Sequence, residues 1–112
     1  MSQRSSQSEI CERFGSPLVP SGDDERLGIA LATLSQQPLN ALRHRPENGT
    51  CGWYVWGGEF SDDPEFFQPL HVHHLSAHTP ALVSYLALSP GWRVLLAPGQ
   101  EEVWYDPSLL AV

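Results

Sequence analysis

Apolar residues on both sides of a single strand are the clearest pattern in the chain, and they lie between Trp53 and Trp56. The aromatic and β-branched composition of this stretch favours a β-strand. Trp53 and Val55 then point to one face of a sheet, and Tyr54 and Trp56 point to the other. Large side chains on both faces indicate a central strand that is covered on each side.

Two further stretches predict strands that pair around this one. Residues 39–45 read as a strand, and the Asn48-Gly49 dipeptide after it favours a turn because both residues accept positive φ angles. This strand is expected to pair antiparallel with the Trp53 strand. A second hairpin is predicted from residues 93–97 and 102–105, with Pro98-Gly99 at its turn. Leu109 and Leu110 are expected to pack back onto the domain.

The helical pattern is strongest before these strands. Leu27, Ala30, Leu31 and Leu34 follow one another at i, i+3, i+4 and i+7, which predicts an amphipathic helix of about three turns. Pro38 ends it.

Two later segments also have helix-start signals. Asp62 or Asp63 caps a predicted helix whose first residue is Pro64. Beyond residue 70 we expect helical structure in two pieces, the second of which begins at Thr79-Pro80.

This order of elements predicts an α+β fold, an antiparallel sheet of about four strands with helices packed on one side. Residues 1–8 are rich in Ser and Gln and are expected to form a disordered tail. Residues 9–112 are expected to form a single α+β domain.

The charge of the chain restricts its partners. Its 112 residues contain 13 acids, six arginines and no lysine, which gives a net charge of −7. Such a surface repels phosphate backbones and favours a basic protein, so we expect no nucleic-acid partner. There is no apolar run of about 18 residues and no apolar segment near the first residue, so we expect no membrane partner and a cytoplasmic location. Cys11 and Cys51 are expected to be free thiols. The oligomeric state is left open.

Four histidines near residue 74 are the main candidates for chemistry. On a continuous helix His71, His74 and His78 would share a face, which is a spacing that metal ligands use, whereas His73 would point elsewhere. Because no cysteine lies nearby and no H-E-x-x-H arrangement occurs, we expect no metal and no cofactor. A small metal- or ligand-binding domain that uses this cluster remains the alternative function.

Signals of catalysis are weak. The chain has no G-x-S-x-G motif. The adjacent carboxylates Asp62/Asp63 and Glu101/Glu102 diverge and do not form an acid–base pair by themselves. We therefore expect that the protein is not an enzyme.

Several short segments between residues 23 and 110 resemble a group of small bacterial proteins that is classed with the immunity proteins of polymorphic toxin systems. The segments are Leu39-Asn40-Ala41-Leu42-Arg43-His44, Gly52-Trp53-Tyr54-Val55-Trp56-Gly57-Gly58-Glu59, Phe66-Phe67, Pro69-Leu70-His71-Val72-His73-His74-Leu75, Tyr85-Leu86, Pro90-Gly91-Trp92-Arg93 and Val103-Trp104-Tyr105-Asp106. The resemblance implies a cytoplasmic, non-catalytic α+β protein that binds and neutralises a cognate toxin. It implies no particular interface residues.

The composition suggests which residues would bind such a toxin. Acids would attract a basic partner, and desolvated tryptophans would anchor the complex. The candidate partner-binding residues are Trp56, Asp62, Asp63, Glu65, Glu101, Glu102, Trp104 and Asp106.

Overall fold

A six-stranded mixed sheet forms the centre of the structure. The structure is a computed structural model, and it describes residues 3–47 and 49–111. The strands are β1 (Arg26–Ile29), β2 (Leu39–Arg43), β3 (Thr50–Gly57), β4 (Gln68–His71), β5 (Trp92–Ala97) and β6 (Gln100–Tyr105). Their order in the sheet is β4-β1-β3-β2-β5-β6. The α+β class is confirmed. The sheet differs from the predicted one in having six strands, and in the parallel pairing of β1 with β3.

Strand β3 lies inside the sheet between β1 and β2, as its two-sided apolar pattern predicts. Trp53 and Val55 are buried in the larger hydrophobic cluster, and Trp56 is buried in the smaller one, with Tyr54 packed against it. The antiparallel pairing of β2 with β3 is confirmed, and Arg43 lies opposite Trp53. Asn48, part of the predicted turn, lies outside the described residues.

The helices cover the face of the sheet to which Trp53 belongs, called here the first face. They are α1 (Gln3–Phe14), α2 (Leu75–His78) and the 3₁₀ helices Val72–His74 and Pro80–Tyr85. Cys11, Leu75 and Leu82 from these helices are buried in one cluster with Trp53. The two-piece helical region is confirmed, with Pro80 as the first residue of its second piece.

The start of the chain belongs to this layer. Residues 3–8, which belong to the predicted disordered tail of residues 1–8, form the first half of α1. Residues 1 and 2 of that tail lie outside the described residues. The assignment of residues 9–112 to a single domain stays a prediction.

The opposite or second face is covered by residues 58–67 and by a 3₁₀ helix, Pro107–Leu110. Leu109 from that helix is buried against Leu42 and Trp56, and Leu110 is half-buried, so the predicted apolar return of the chain is confirmed. The second hairpin is also confirmed, with β5 and β6 joined at Pro98-Gly99.

The predicted helix around Leu27 is wrong. Arg26–Ile29 forms strand β1, in which Leu27 and Ile29 are buried at alternate positions. Its backbone pairs with β3 on one side and with β4 on the other, so the hydrogen-bonding groups on both edges of β1 have partners in neighbouring strands. Only the 3₁₀ helix Leu31–Thr33 remains of the helical pattern.

The predicted helix that starts at Pro64 is also wrong. The Asp63 carboxylate accepts the Glu65 N–H at 2.9 Å, and the Asp63 carbonyl accepts the Phe66 N–H at 3.0 Å. These bonds close a tight turn at Pro64, after which the chain extends into β4.

None of the helices in residues 3–47 and 49–111 combines the length and the apolar character that crossing a bilayer requires.

Candidate protein-binding face

A cleft of about 420 Å³ opens on the second face of the sheet. Four aromatic side chains line it, namely Tyr54, Trp56, Phe60 and Phe67. We call it the aromatic cleft. Its remaining lining includes the polar side chains of His44, Arg45, Glu47 and Thr50. Apolar walls with a few convergent polar groups are the usual composition of a binding site.

The local sequence explains how the aromatic side chains meet. Tyr54 and Trp56 alternate with Trp53 and Val55 along β3 and therefore reach the second face. Gly57 and Gly58 follow, and the positive φ of 69° at Gly58 turns the chain back over that face. The segment 58–67, here called the acidic loop, packs Phe66 and Phe67 onto the sheet and brings the exposed Phe60 against Trp56.

The rings pack edge to face. Ring centroids are 5.4 Å apart for Trp56 and Phe60 and 5.2 Å apart for Tyr54 and Phe67, with interplanar angles of 73° and 71°. The Phe66 ring packs against the Phe67 ring, with their centroids 4.9 Å apart. Edge-to-face pairs at these distances attract each other, so the four lining rings form a defined wall. Phe60 is nevertheless 59% exposed, which makes it the ring most accessible to a partner.

One end of the cleft is polar. His44 lies there, with its ring 5.4 Å from that of Tyr54 and its Nδ1 3.0 Å from the Leu109 carbonyl oxygen. A carbonyl only accepts, so Nδ1 is the donor in this bond. Glu47 supplies a carboxylate to the same cleft.

Three of the predicted acids lie on the acidic loop. Asp62, Asp63 and Glu65 are all exposed. The salt bridges found in the described part of the chain join Arg13 to Glu101 and Arg93 to Asp106, so these three carboxylates are not in ion pairs. Asp63 is engaged in the turn at Pro64, which leaves Asp62 and Glu65 as the predicted loop acids whose carboxylates make no bond within the described chain.

Glu102 and Trp104 lie on the same face as Trp56 but near the β6 edge. Trp56 pairs with Asn40, Asn40 with Leu95 and Leu95 with Glu102, a row that crosses four strands. At about 4.8 Å per strand, Glu102 is roughly 14 Å from Trp56. Trp104 is 40% exposed.

The last two predicted acids have partners inside the protein. Glu101 lies on the first face, where it accepts from the Tyr85 hydroxyl and binds Arg13 at 2.9 Å. Burial and this hydrogen bond to Glu101 raise the pKa of the Tyr85 hydroxyl. Asp106 binds Arg93 at 3.2 Å and accepts from the Ser108 N–H at 3.1 Å. The eight predicted residues therefore do not form one patch.

The histidines do not share a helical face. His71 ends β4, and His73 and His74 belong to a 3₁₀ helix, so the continuous helix that would align His71, His74 and His78 does not exist. The His73 and His74 ring centroids are 4.1 Å apart, and His73 Nδ1 bonds to the Asp23 carbonyl at 2.8 Å. Within residues 3–47 and 49–111, no group of three or more His, Cys, Asp or Glu is placed to hold a metal ion. That no metal binds at this cluster stays a prediction.

Most of the aromatic cleft was not among the predicted partner-binding residues. Trp56 was a candidate, whereas Tyr54, Phe60 and Phe67 were not, and His44 was assigned only to a strand. A signal was present in the chain. Tyr54 and Trp56 share the second face, and three phenylalanines follow within 11 residues of Trp56.

The fold and this exposed, partly aromatic face suit a small binding protein, and comparison with known proteins gives its family. A family model described as "Imm33-like domain" matches residues 6–106. The chain therefore belongs to the Imm33-like family. No curated protein and no solved structure matches it.

Proposed function

We propose that this protein is a non-catalytic immunity protein that binds and neutralises a cognate bacterial toxin in the cytoplasm. The observation that carries the proposal is the match to the Imm33-like family over residues 6–106. The family name refers to immunity, and immunity proteins act by binding another protein. A protein with this function requires a surface that recognises the toxin and requires no catalytic residues.

The second face of the sheet has the features expected of such a recognition surface. It combines an exposed aromatic ring, Phe60, with acids on the same loop that have no internal counter-ion, Asp62 and Glu65. Acids held in internal ion pairs, such as Glu101 and Asp106, have less charge available for a partner. The proposed interface is thus centred on the acidic loop and the aromatic cleft, with Trp104 and Glu102 at its periphery.

The charge of the chain indicates the kind of toxin. A toxin that attacks nucleic acid needs a basic cleft for its substrate, and a protein with a net charge of −7 complements such a cleft. Complementary charge raises association rates, while desolvated aromatic side chains slow dissociation.

Charge reversal on the acidic loop tests the proposal. The double variant Asp62→Lys with Glu65→Lys leaves the turn made by Asp63 intact. It should associate with the toxin encoded by the neighbouring gene about tenfold more slowly at low salt, with a flatter salt dependence. Stopped-flow kinetics at several salt concentrations measure both effects.

The matched control is Glu9→Lys with Glu12→Lys, two exposed acids of α1 that change the net charge by the same amount on the other side of the sheet. This control should retain the wild-type association rate more closely. Equal rates for the two double variants would remove the acidic loop from the interface. A neighbouring gene that encodes no toxin, or a toxin that wild-type protein does not inhibit, would overturn the proposed function itself.

A further inference from the structure

The aromatic cleft has a chemistry more specific than that of a general protein-binding surface. We propose that it binds an arginine side chain of the basic partner, whose guanidinium lies against the aromatic wall. This proposal rests on the proposed function, which supplies the partner, but the chemistry of the cleft can be tested without that partner.

The aromatic wall is the first argument. Tyr54, Trp56, Phe60 and Phe67 are four rings of one cleft, and their edge-to-face packing gives adjacent rings different orientations. The faces of aromatic rings carry negative potential and attract cations, and arginine is the side chain that most often occupies such sites. A planar guanidinium also stacks on a ring face, which a lysine ammonium does not do.

The charges around the cleft are the second argument. Glu47 lines it, and Glu59, Asp62 and Glu65 are exposed on the loop that carries Phe60. Residues 58–67 contain no basic residue. None of these carboxylates takes part in the salt bridges of the described chain, so their charge is free to attract a cation.

The protein's own Arg45 also lines the cleft and has to be considered as an internal occupant. In the described chain, the arginines that lie over aromatic rings are Arg13 on Phe14, Arg43 on Trp53 and Arg93 on Trp104. Arg45 is exposed and is not among the arginines that lie over a ring, so it does not occupy the aromatic wall. Of the four rings Phe60 is the exposed one, Tyr54 and Phe67 are half-buried and Trp56 is buried, so an incoming cation meets the face of Phe60 first.

Hydrogen-bond acceptors complete the site. A guanidinium presents five N–H donors and no acceptor, so its partners have to be acceptors. Glu47 and His44 both line the cleft; the Glu47 carboxylate is an acceptor, and His44 Nε2 is the acceptor of the tautomer whose Nδ1 donates to the Leu109 carbonyl. Thr50 also lines it, but its hydroxyl is already bonded to the Glu47 backbone and contributes less. The volume of about 420 Å³ lies within the range of ordinary ligand pockets and admits one long side chain.

A peptide titration tests this assignment with a neutral isostere as its control. The probe is acetyl-Gly-Arg-Gly-amide, and the control peptide carries citrulline, which has the same shape without the charge. Chemical shifts of the Trp56 indole and of the Phe60 and Gly52 amides report on the cleft. The arginine peptide should bind about tenfold more tightly than the citrulline peptide. It should also shift these resonances more than those of Trp92.

Variants locate the binding. Phe60→Ala and Glu47→Gln should each weaken the arginine peptide several-fold. Leu18→Ala, which removes a comparably exposed apolar side chain outside the cleft, should not change it. Equal binding of the two peptides, shifts that avoid the cleft, or tighter binding of a leucine peptide would overturn the assignment, the last by showing that the cleft takes an apolar side chain.

Failure of this inference is separable from failure of the proposed function. If the toxin is neutralised equally well by wild-type protein and by Phe60→Ala with Glu47→Gln, the immunity function stands and the cleft is not the anchor site. If the arginine peptide binds the cleft while no neighbouring toxin is bound, the chemistry of the cleft stands and the immunity function fails.

Discussion

A single buried arginine, Arg43, joins β2 to β3 and to two segments of the first-face layer. Arg43 is 1% exposed, and its Nε donates to the Cys51 carbonyl at 2.8 Å. Its Nη1 donates to the carbonyls of Val19 and Leu88, each at 2.7 Å. No carboxylate is within salt-bridge distance among the described residues. The guanidinium therefore donates to backbone carbonyls of a loop, of the neighbouring strand β3 and of the segment that follows the 3₁₀ helix Pro80–Tyr85.

Arg43→Met should lower the free energy of unfolding by about 3 kcal/mol or more, because each hydrogen bond to a charged group contributes about 1.5–3 kcal/mol. The methionine fills part of the space but leaves the carbonyls of Val19, Cys51, Leu86 and Leu88 without this donor. Urea denaturation measures the loss. The exposed neighbour Arg45→Met is the matched control and should change stability by about 0.5 kcal/mol or less. Similar losses in the two variants would show that Arg43 is replaceable.

At the scale of elements, the junction between β2 and β3 depends on a glycine. Gly52 has a φ of 90°, and a Cβ there would clash with the His44 carbonyl oxygen. The backbones approach closely because the His44 N–H donates to the Gly52 carbonyl at 2.9 Å. This junction places both Gly52 and His44 at the aromatic cleft.

Gly52→Ala should destabilise the protein and alter the cleft. The positive φ alone costs an alanine about 1–2 kcal/mol, and the contact with the His44 carbonyl adds to it. Gly15→Ala separates the two effects, since Gly15 has a φ of 80° but nothing within 4 Å of its Cβ. Thermal denaturation should show a clearly larger loss for Gly52→Ala. If both variants lose the same stability, the junction can relax around a methyl group.

The last 3₁₀ helix depends on Asp106 at its N-cap. Its carboxylate accepts from the Ser108 hydroxyl and N–H and from Arg93, and these interactions hold the pKa of Asp106 below its usual 3.8. Since the folded protein favours the charged form, this contribution is complete above pH 3.8 and is lost as the pH falls through the folded pKa.

Asp106→Ala should therefore be less stable than wild type at neutral pH, and the difference should shrink as the pH falls below about 4. Urea denaturation of both proteins between pH 7 and pH 3 measures it. A difference that is independent of pH would mean that the ionised carboxylate is not what stabilises the helix.

The elements that could be predicted are those whose own residues determine their structure. The Trp53 to Trp56 stretch has large apolar side chains on both faces, and only an interior strand buries both sets. Strand β1 could not be predicted in the same way, because Leu27 and Ile29 supply only two inward positions over four residues. Its partners are residues 50–55 and 68–71, and sequence spacing does not reveal a parallel pairing of that kind.

The candidate site was predictable to a similar degree. Exposed acids such as Asp62 and Glu65 follow from composition, but Glu65 was placed on a helix starting at Pro64, whereas the structure puts both residues on the acidic loop. Partnering within the fold is not visible in the sequence, so Glu101 and Asp106 were grouped with them although Arg13 and Arg93 hold these two.

At the scale of the whole molecule, the two faces of the sheet are unequal. The first face contains a large buried cluster that includes Trp53, whereas the second contains a small one of Ala30, Leu42, Trp56 and Leu109. Stability comes mainly from burial, so it resides mainly on the first face. On the second face, which has an exposed Phe60 and a thin covering layer, substitutions of side chains should cost less folding free energy. A surface that recognises a particular partner benefits from this separation.

The last prediction compares one aromatic residue from each face. Trp53 is 1% exposed and donates its indole N–H to the Leu86 carbonyl at 2.9 Å, so Trp53→Ala should lower the free energy of unfolding by about 3–5 kcal/mol. Phe60 is 59% exposed, so Phe60→Ala should lower it by about 1 kcal/mol or less. Chemical denaturation measures both losses, and circular dichroism checks that each variant is folded. A large loss for Phe60→Ala would mean that the acidic loop is part of the structural core, and changes there could not be interpreted as effects on binding alone.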